Sequence, residues 1–209
     1  MADAPITALF LDVGGVLLTN GWDRRSRRAA AERFGLDYDA FDERHHLTFD
    51  AFESGQISLD EYLDRTVFHD ARPFSREDFR AFMFDQSAPL AGMRELIGRL
   101  KAKHGLRVVA VSNEGRELTL YRAEKFGLMT LFDCYLASSF VHLRKPDPAL
   151  FQMALDVAQR TPAESLYIDD RPLFVEVAAD SGLRGLVHRS LEETRDALAS
   201  FGLGDEEEP

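Results

Sequence analysis

The chain has 209 residues, 45% of them hydrophobic, enough for one large domain or for one domain carrying a smaller insertion. Its formal net charge of -11 is opposite to the basic footprint of a nucleic-acid binder, so nucleic acid is not expected as a partner. The single cysteine, Cys134, cannot close an internal disulfide and reads as a small buried hydrophobe, and no apolar run reaches the length of a membrane span.

The opening MADAPITALFLD lacks the basic start and the long apolar stretch of a signal peptide, so the cytoplasm is the expected compartment. Its apolar run predicts a first strand over Ile6 to Leu11, of the buried parallel type. From Trp22 to about Gln86 helical patterns follow one another with no strand-like run. Ser58 (SLDEYLDR) and Ser75 (SREDFRAF) are predicted helix caps, each with acids in the following turn. After Pro89 the pattern alternates. LAGMRELIGRLKAKHG is a helix ending at Gly105, LRVVAVSN a strand, EGRELTLYRAEKFG a helix, and FDCYLAS a strand. A helix over Asp147 to Gln159 is followed by the strand SLYIDD and the helix PLFVEVAADSG, which starts on proline. The strand GLVH and the helix LEETRDALASFG close the series. Such alternation predicts an α/β fold, a doubly wound parallel sheet with helices on both faces. Residues 1–19 and 88–204 are the expected core domain, 20–87 an inserted helical domain, and 205–209, within GDEEEP, a disordered acidic tail.

In open parallel sheets ligands bind beyond the carboxyl ends of the strands, which selects four places. Asp12 follows the first strand, Ser112 and Asn113 end the next, Lys145 sits in RKPDPALF, and Asp169 and Asp170 end LYIDD. Singly, each has an ordinary reading as a loop starter, a turn residue or a surface lysine. Adjacent carboxylates at a strand end repel unless solvent or a cation lies near. Together they suit phosphoryl transfer. One carboxylate can attack phosphorus and another hold magnesium, while the lysine neutralises charge and Ser/Asn with backbone N–H groups grip the transferring oxygens.

D-V-G-G-V at 12–16, V-S-N at 111–113, R-K-P-D-P at 144–148 and I-D-D at 168–170 resemble, in this order, the four motifs of the haloacid dehalogenase-like (HAD) hydrolase superfamily. The helical segment, with ESGQISLDEYLDR, resembles the cap of the subgroup that includes 2-haloacid dehalogenases and many sugar phosphatases. The resemblance covers nearly the whole chain except the acidic tail. It implies a Rossmann-like core and a helical cap, with Asp12 as nucleophile and metal ligand. It also implies a metal contact from the Gly14 carbonyl, Asp170 as direct ligand and Asp169 one step removed. Ser112 and Asn113 would bind the phosphoryl oxygens, and Lys145 would hold nucleophile and phosphoryl group together. The implied cofactor is Mg2+ and the implied partner a small phosphate ester; the oligomeric state is left open.

Gly14 departs from the pattern. Most HAD phosphatases carry there a second aspartate that protonates the leaving oxygen, help worth typically about 10²–10⁴-fold. Three readings follow. The first is a magnesium-dependent phosphatase of small organic phosphates, sugar phosphates favoured; sugar 1-phosphate phosphatases of this subgroup resemble the chain in having glycine here. The second is a 2-haloacid dehalogenase, whose halide leaves without a proton. The third is a weakly catalytic binding protein. Halide displacement needs no cation, so Asp169 and Asp170 favour the first over the second. The cap's polar candidates are Asn20, Trp22, Arg24, Arg25, His45 and His46. The arginines, with Arg27 and Arg28, read as a solvated helix face, and of the adjacent histidines at most one is expected to face the site.

Overall fold

The computed structural model describes residues 4–205. Its centre is a sheet of β1 (Ala8–Leu11), β2 (Arg107–Ser112), β3 (Cys134–Ala137), β4 (Ser165–Asp169) and β5 (Arg184–Val187), in the order β3-β2-β1-β4-β5. Every neighbouring pair is parallel. The first strand is shorter than the predicted Ile6 to Leu11. Thr7 donates to the Glu164 carbonyl at 2.9 Å, and the ladder proper starts at Ala8.

Both faces of the sheet are covered, which is why its strands read as unbroken apolar runs. Leu9 and Leu11 point to one face and pack with Leu96, Ile97 and Leu100 of α5 (Met93–His104) and Leu198 of α10 (Leu191–Ser200). Ala8 and Phe10 point to the other, toward Leu150, Phe151 and Ala154 of α8 (Pro148–Ala158) and Ala178 of α9 (Pro172–Asp180). This two-residue alternation fixes the register, because a slip of one would exchange the two packed sets. The turn to α6 (Arg116–Lys125) follows β2, and the single-turn α7 (Ser138–Val141), which carries no sequence signal of its own, follows β3.

Between β1 and β2 lie α1 (Arg24–Phe34), α2 (Tyr38–Glu53), α3 (Leu59–Thr66) and α4 (Arg76–Asp85) ahead of α5. They share a separate aromatic core that includes Phe41, Phe52, Tyr62 and Phe79, joined by Leu118 from α6. Ser58 and Ser75 each accept from the backbone N–H three residues on, while the side chain at that position, Glu61 or Asp78, accepts in return. The segments entering and leaving these helices run side by side. The N–H of Thr19 donates to the Ala88 carbonyl at 2.8 Å, and its hydroxyl donates to the Gln86 carbonyl at 2.8 Å. At the carboxyl end, Asp205 of the expected tail is held 2.7 Å from Arg99, with Arg195 3.7 Å away. Two guanidinium groups fix its carboxylate; residues 206–209 lie outside those described.

Candidate active site

After β1, β2 and β3 the chain returns to the far side of β1 to form β4, so winding reverses between β1 and β4. The crevice above that point is where an open α/β sheet binds ligands. Leu11 pairs with Ile168, and the N–H of Asp12 donates to the Ile168 carbonyl at 2.9 Å, which sets Asp12 beside Asp169.

Asp12 is buried. Its Oδ1 accepts from the Val13 N–H at 2.8 Å and stands 3.1 Å from Lys145 Nζ. Lys145 is sealed from solvent, and its Nζ also donates to Asp169 Oδ2 at 2.7 Å. Asn113 explains its placement: the amide Oδ1 accepts from the Lys145 N–H and Nδ2 donates to the Lys145 carbonyl, both at 2.8 Å. Asn113 is thus largely committed to the lysine loop, with one N–H left for a ligand. Ser112 Oγ makes no hydrogen bond among the described residues and lines the cavity described below. Asp169 has no exposure. Its Oδ2 also accepts from Tyr167 Oη, and its Oδ1 accepts from the Arg171 N–H at 2.8 Å. Asp170 differs. Its Oδ2 accepts from Asn20 Nδ2 at 3.1 Å, while its Oδ1 is buried with no partner among the described residues.

Burial pushes the Asp12 carboxyl up, to about 7; Lys145 opposes the shift and Asp169 adds to it. Burial also works against charge on Lys145, but Asp12 and Asp169 overcome it and hold its pKa above the ordinary lysine value. Asp170 is raised by burial, with Asn20 opposing. Oxygen atoms of Asp12, Asp169 and Asp170 lie within 4.8 Å of one another. Three carboxylates against one ammonium leave an excess of negative charge, and hard oxygen donors suit a divalent cation such as magnesium. The unpaired Asp170 Oδ1 is the atom such an ion would satisfy.

The two glycines answer different needs. Gly15 has φ +75, and a Cβ there would stand 2.2 Å from Asp170 Oδ2, so only glycine lets the turn pass the carboxylate. At Gly14 a Cβ would meet Asn20 Oδ1 at 3.0 Å, a tight contact with the end of a side chain.

A cavity of about 570 Å³ opens over Asp12, Gly14, Ser112, Asn113 and Lys145. Arg24, Arg27, His45, His46 and Phe49 of α1 and α2 contribute to its wall, with Asn20 and Trp22 from the segment that enters them. Arg25 is not part of it. Two expectations need correction. Arg27 is not on a solvated face; it is buried and ion-paired with Asp42 at 2.9 Å, because the neighbouring helix supplies a carboxylate. His45 and His46 both line the cavity, one buried and the other open to solvent, because the wall wraps around α2. Sequence reasoning missed Tyr167, whose signal was its position two residues before Asp169 on the same strand face. It also missed the buried pair Arg122–Glu114. Arg122 Nη2 donates to the Thr19 carbonyl at 2.6 Å, where the helical insertion begins.

A doubly wound sheet with an acidic cluster at its switch point, beneath a layer of inserted helices, defines the class of protein. The chain belongs to the haloacid dehalogenase-like hydrolase family, whose model matches residues 6–182. It is 28% identical over 160 residues to flavin mononucleotide hydrolase 1 of Arabidopsis thaliana, a chloroplast protein, covering 77% of this chain and 64% of that one. It is 24% identical over 185 residues to the phosphorylated carbohydrates phosphatase of Thermotoga maritima, covering 87% and 85%. Among solved structures, the magnesium complex of a HAD family enzyme from Bacteroides thetaiotaomicron is similar, with a TM-score of 0.79 at 21% identity over 93% of this chain and 99% of that one. A defluorinating L-2-haloacid dehalogenase shares the fold with a TM-score of 0.63 at 21% identity, over 87% and 80%. No helix of the described residues is long and apolar enough to cross a membrane.

Proposed function

We propose that the protein is a magnesium-dependent phosphatase of small organic phosphate monoesters, sugar phosphates favoured, acting through an aspartyl-phosphate on Asp12. The observation that carries this reading is the buried, unpartnered Oδ1 of Asp170 within a cluster of three carboxylates. A dehalogenase gains nothing from a cation, and uncompensated acids would repel its carboxylate substrate. The likeness to a flavin mononucleotide hydrolase and to a phosphatase of phosphorylated carbohydrates supports the same choice.

Asp12 Oδ1 is occupied by Val13 and Lys145, whereas Oδ2 takes no hydrogen bond among the described residues, so Oδ2 is the attacking atom. As the Oδ2–P bond forms, the ester P–O bond breaks and the leaving oxygen takes a proton from water. A second water then attacks phosphorus, releasing phosphate and restoring Asp12. Lys145 offsets the charge of Asp12 and of the phosphoryl group throughout, while Ser112 Oγ and the free N–H of Asn113 donate to the transferring oxygens. Magnesium, held by Asp12, Asp170 and the Gly14 carbonyl, would neutralise phosphoryl charge; Asp169, occupied by Lys145, Tyr167 and Arg171, orients the lysine instead.

Phosphate release from a panel of phosphate esters, with magnesium and with chelator, tests the reading. Magnesium-dependent release that Asp12→Asn abolishes in a folded protein is the expected result. Halide release from 2-chloropropionate, unaffected by chelator, would establish the dehalogenase instead, and neither activity would leave a binding protein.

A further inference from the structure

His45 lies on α2 with its ring in the cavity wall, and two side chains, Trp22 and Tyr62, specify which of its nitrogens carries the proton. Trp22 Nε1 can only donate, and it donates to Tyr62 Oη at 2.9 Å. The Tyr62 side chain is wholly buried, so its own O–H needs an acceptor, and His45 Nδ1 stands 2.8 Å away. The chain of donors therefore runs from Trp22 through Tyr62 to a bare Nδ1. The proton of the neutral ring is then on Nε2. That nitrogen has no partner among the described residues, yet it is not closed off from solvent, so it opens on the cavity. The ring plane is fixed by stacking on Phe49, with centroids 5.3 Å apart at 28°.

We propose that His45 is a specificity-determining residue, a neutral imidazole whose Nε2–H donates a hydrogen bond to an oxygen on the organic part of the phosphate ester, and that Tyr62 is the residue that positions its proton. The inference rests on the phosphatase reading and deepens it. The favoured substrates carry an acceptor oxygen beyond the phosphoryl group, as sugar and polyol phosphates do.

The charges around the ring agree. Burial holds its pKa at about 3, Arg27 from α1 and His46 from α2 push the same way, and Asp42 opposes them without prevailing. Tyr62 from α3 faces Nδ1 as a neutral hydroxyl. At neutral pH the ring is therefore no imidazolium. It does not supply the proton that Gly14 lacks, and its part is recognition through a fixed donor. A buried donor built for a substrate oxygen discriminates strongly, because an analogue without that oxygen leaves it unpaired.

Two measurements test this on the full chain. Long-range ¹H–¹⁵N correlation spectra at pH 7 should show His45 with Nε2 protonated and Nδ1 bare. Glucose 1-phosphate added with magnesium to the Asp12→Asn protein should shift the Nε2 resonance. In kinetics, His45→Phe keeps the stacking ring and should lower the kcat/KM ratio of glucose 1-phosphate to phenyl phosphate by about tenfold or more, mainly through KM. Tyr62→Phe keeps the imidazole but frees its proton; it should give mixed tautomers and a smaller fall in the same ratio. A proton on Nδ1, an Nε2 resonance indifferent to glucose 1-phosphate, or an unchanged ratio in folded His45→Phe overturns the inference. Should the wild type hydrolyse neither ester, the phosphatase reading fails, while the Nε2 response still decides the hydrogen bond.

Discussion

Gly14 concentrates the chemistry of this site into one missing side chain. If the site hydrolyses phosphate esters as proposed, the lack of an acid at that position leaves water to protonate the leaving oxygen. The rate should fall steeply as the leaving-group pKa rises, from p-nitrophenyl phosphate through sugar 1-phosphates to simple alkyl esters. Gly14→Asp should raise kcat/KM on alkyl phosphates more than on p-nitrophenyl phosphate, by less than the full factor of about 10²–10⁴ of a positioned acid. The structure supplies a reason for the shortfall. A Cβ at 14 meets Asn20 Oδ1 at 3.0 Å, and Asn20 is the side chain that holds Asp170 Oδ2. The variant should therefore also need more magnesium for half-maximal rate. Flat leaving-group dependence in the wild type, with chemistry rate-limiting, would mean that another residue already donates. Candidate residues were legible in the sequence because they fall at strand ends, where an open parallel sheet binds ligands. The structure brings Asp12, Lys145 and Asp170 together there. Asn20's grip on Asp170 was not legible, since 150 positions of chain separate the two.

The same contrast holds for elements. Strands followed from their continuous apolar runs, and helices from caps and stops such as Ser58 and Gly105, because those signals are local. The burial of Arg27 and His45 is not local. Arg27 is tolerated inside because Asp42 arrives from α2, and His45 because Tyr62 arrives from α3. That arrangement has a consequence for stability. The His45 pKa, 6.5 ordinarily, is lowered to about 3 in the fold by burial. Between those values the unfolded chain binds a proton that the folded chain refuses. Stability is thus fully present above pH 6.5 and falls as pH drops toward 3, by up to about 1.4 kcal/mol per pH unit. His188, also lowered by burial, adds a dependence of the same sign. Urea unfolding of the wild type and His45→Phe between pH 4 and 6.5 separates the two. The variant should start less stable at pH 7, because Tyr62 loses its acceptor, and then lose stability less steeply with acid. Parallel slopes would show that His45 is protonated in the folded state.

For the whole molecule, the acidic cluster sets function against stability. Asp12, Asp169 and Asp170 converge at the switch point of the sheet, where β1 and β4 are pinned by backbone pairing and cannot move apart. Lys145 compensates one charge fully, bridging Asp12 and Asp169 at 3.1 and 2.7 Å, and Asp170 is left with a bare buried oxygen. The cluster therefore carries repulsion that a bound divalent cation would relieve. An ion that binds the folded chain alone stabilises it by about 2.7 kcal/mol at a hundred times its Kd. For a chain of this size that is roughly 2–4 °C in Tm for each kcal/mol. Magnesium should accordingly raise Tm by several degrees, and sodium at matched ionic strength should not. Asp170→Asn keeps an oxygen for Asn20 to bond but removes the charge. It should melt above the metal-free wild type, lose the magnesium-induced rise and lose phosphate release together. That outcome would mark a site kept less stable than it need be for the sake of a bound cation. A variant that melts lower than the metal-free wild type, yet still gains several degrees from magnesium, would place the cation on other ligands and remove Asp170 from the site.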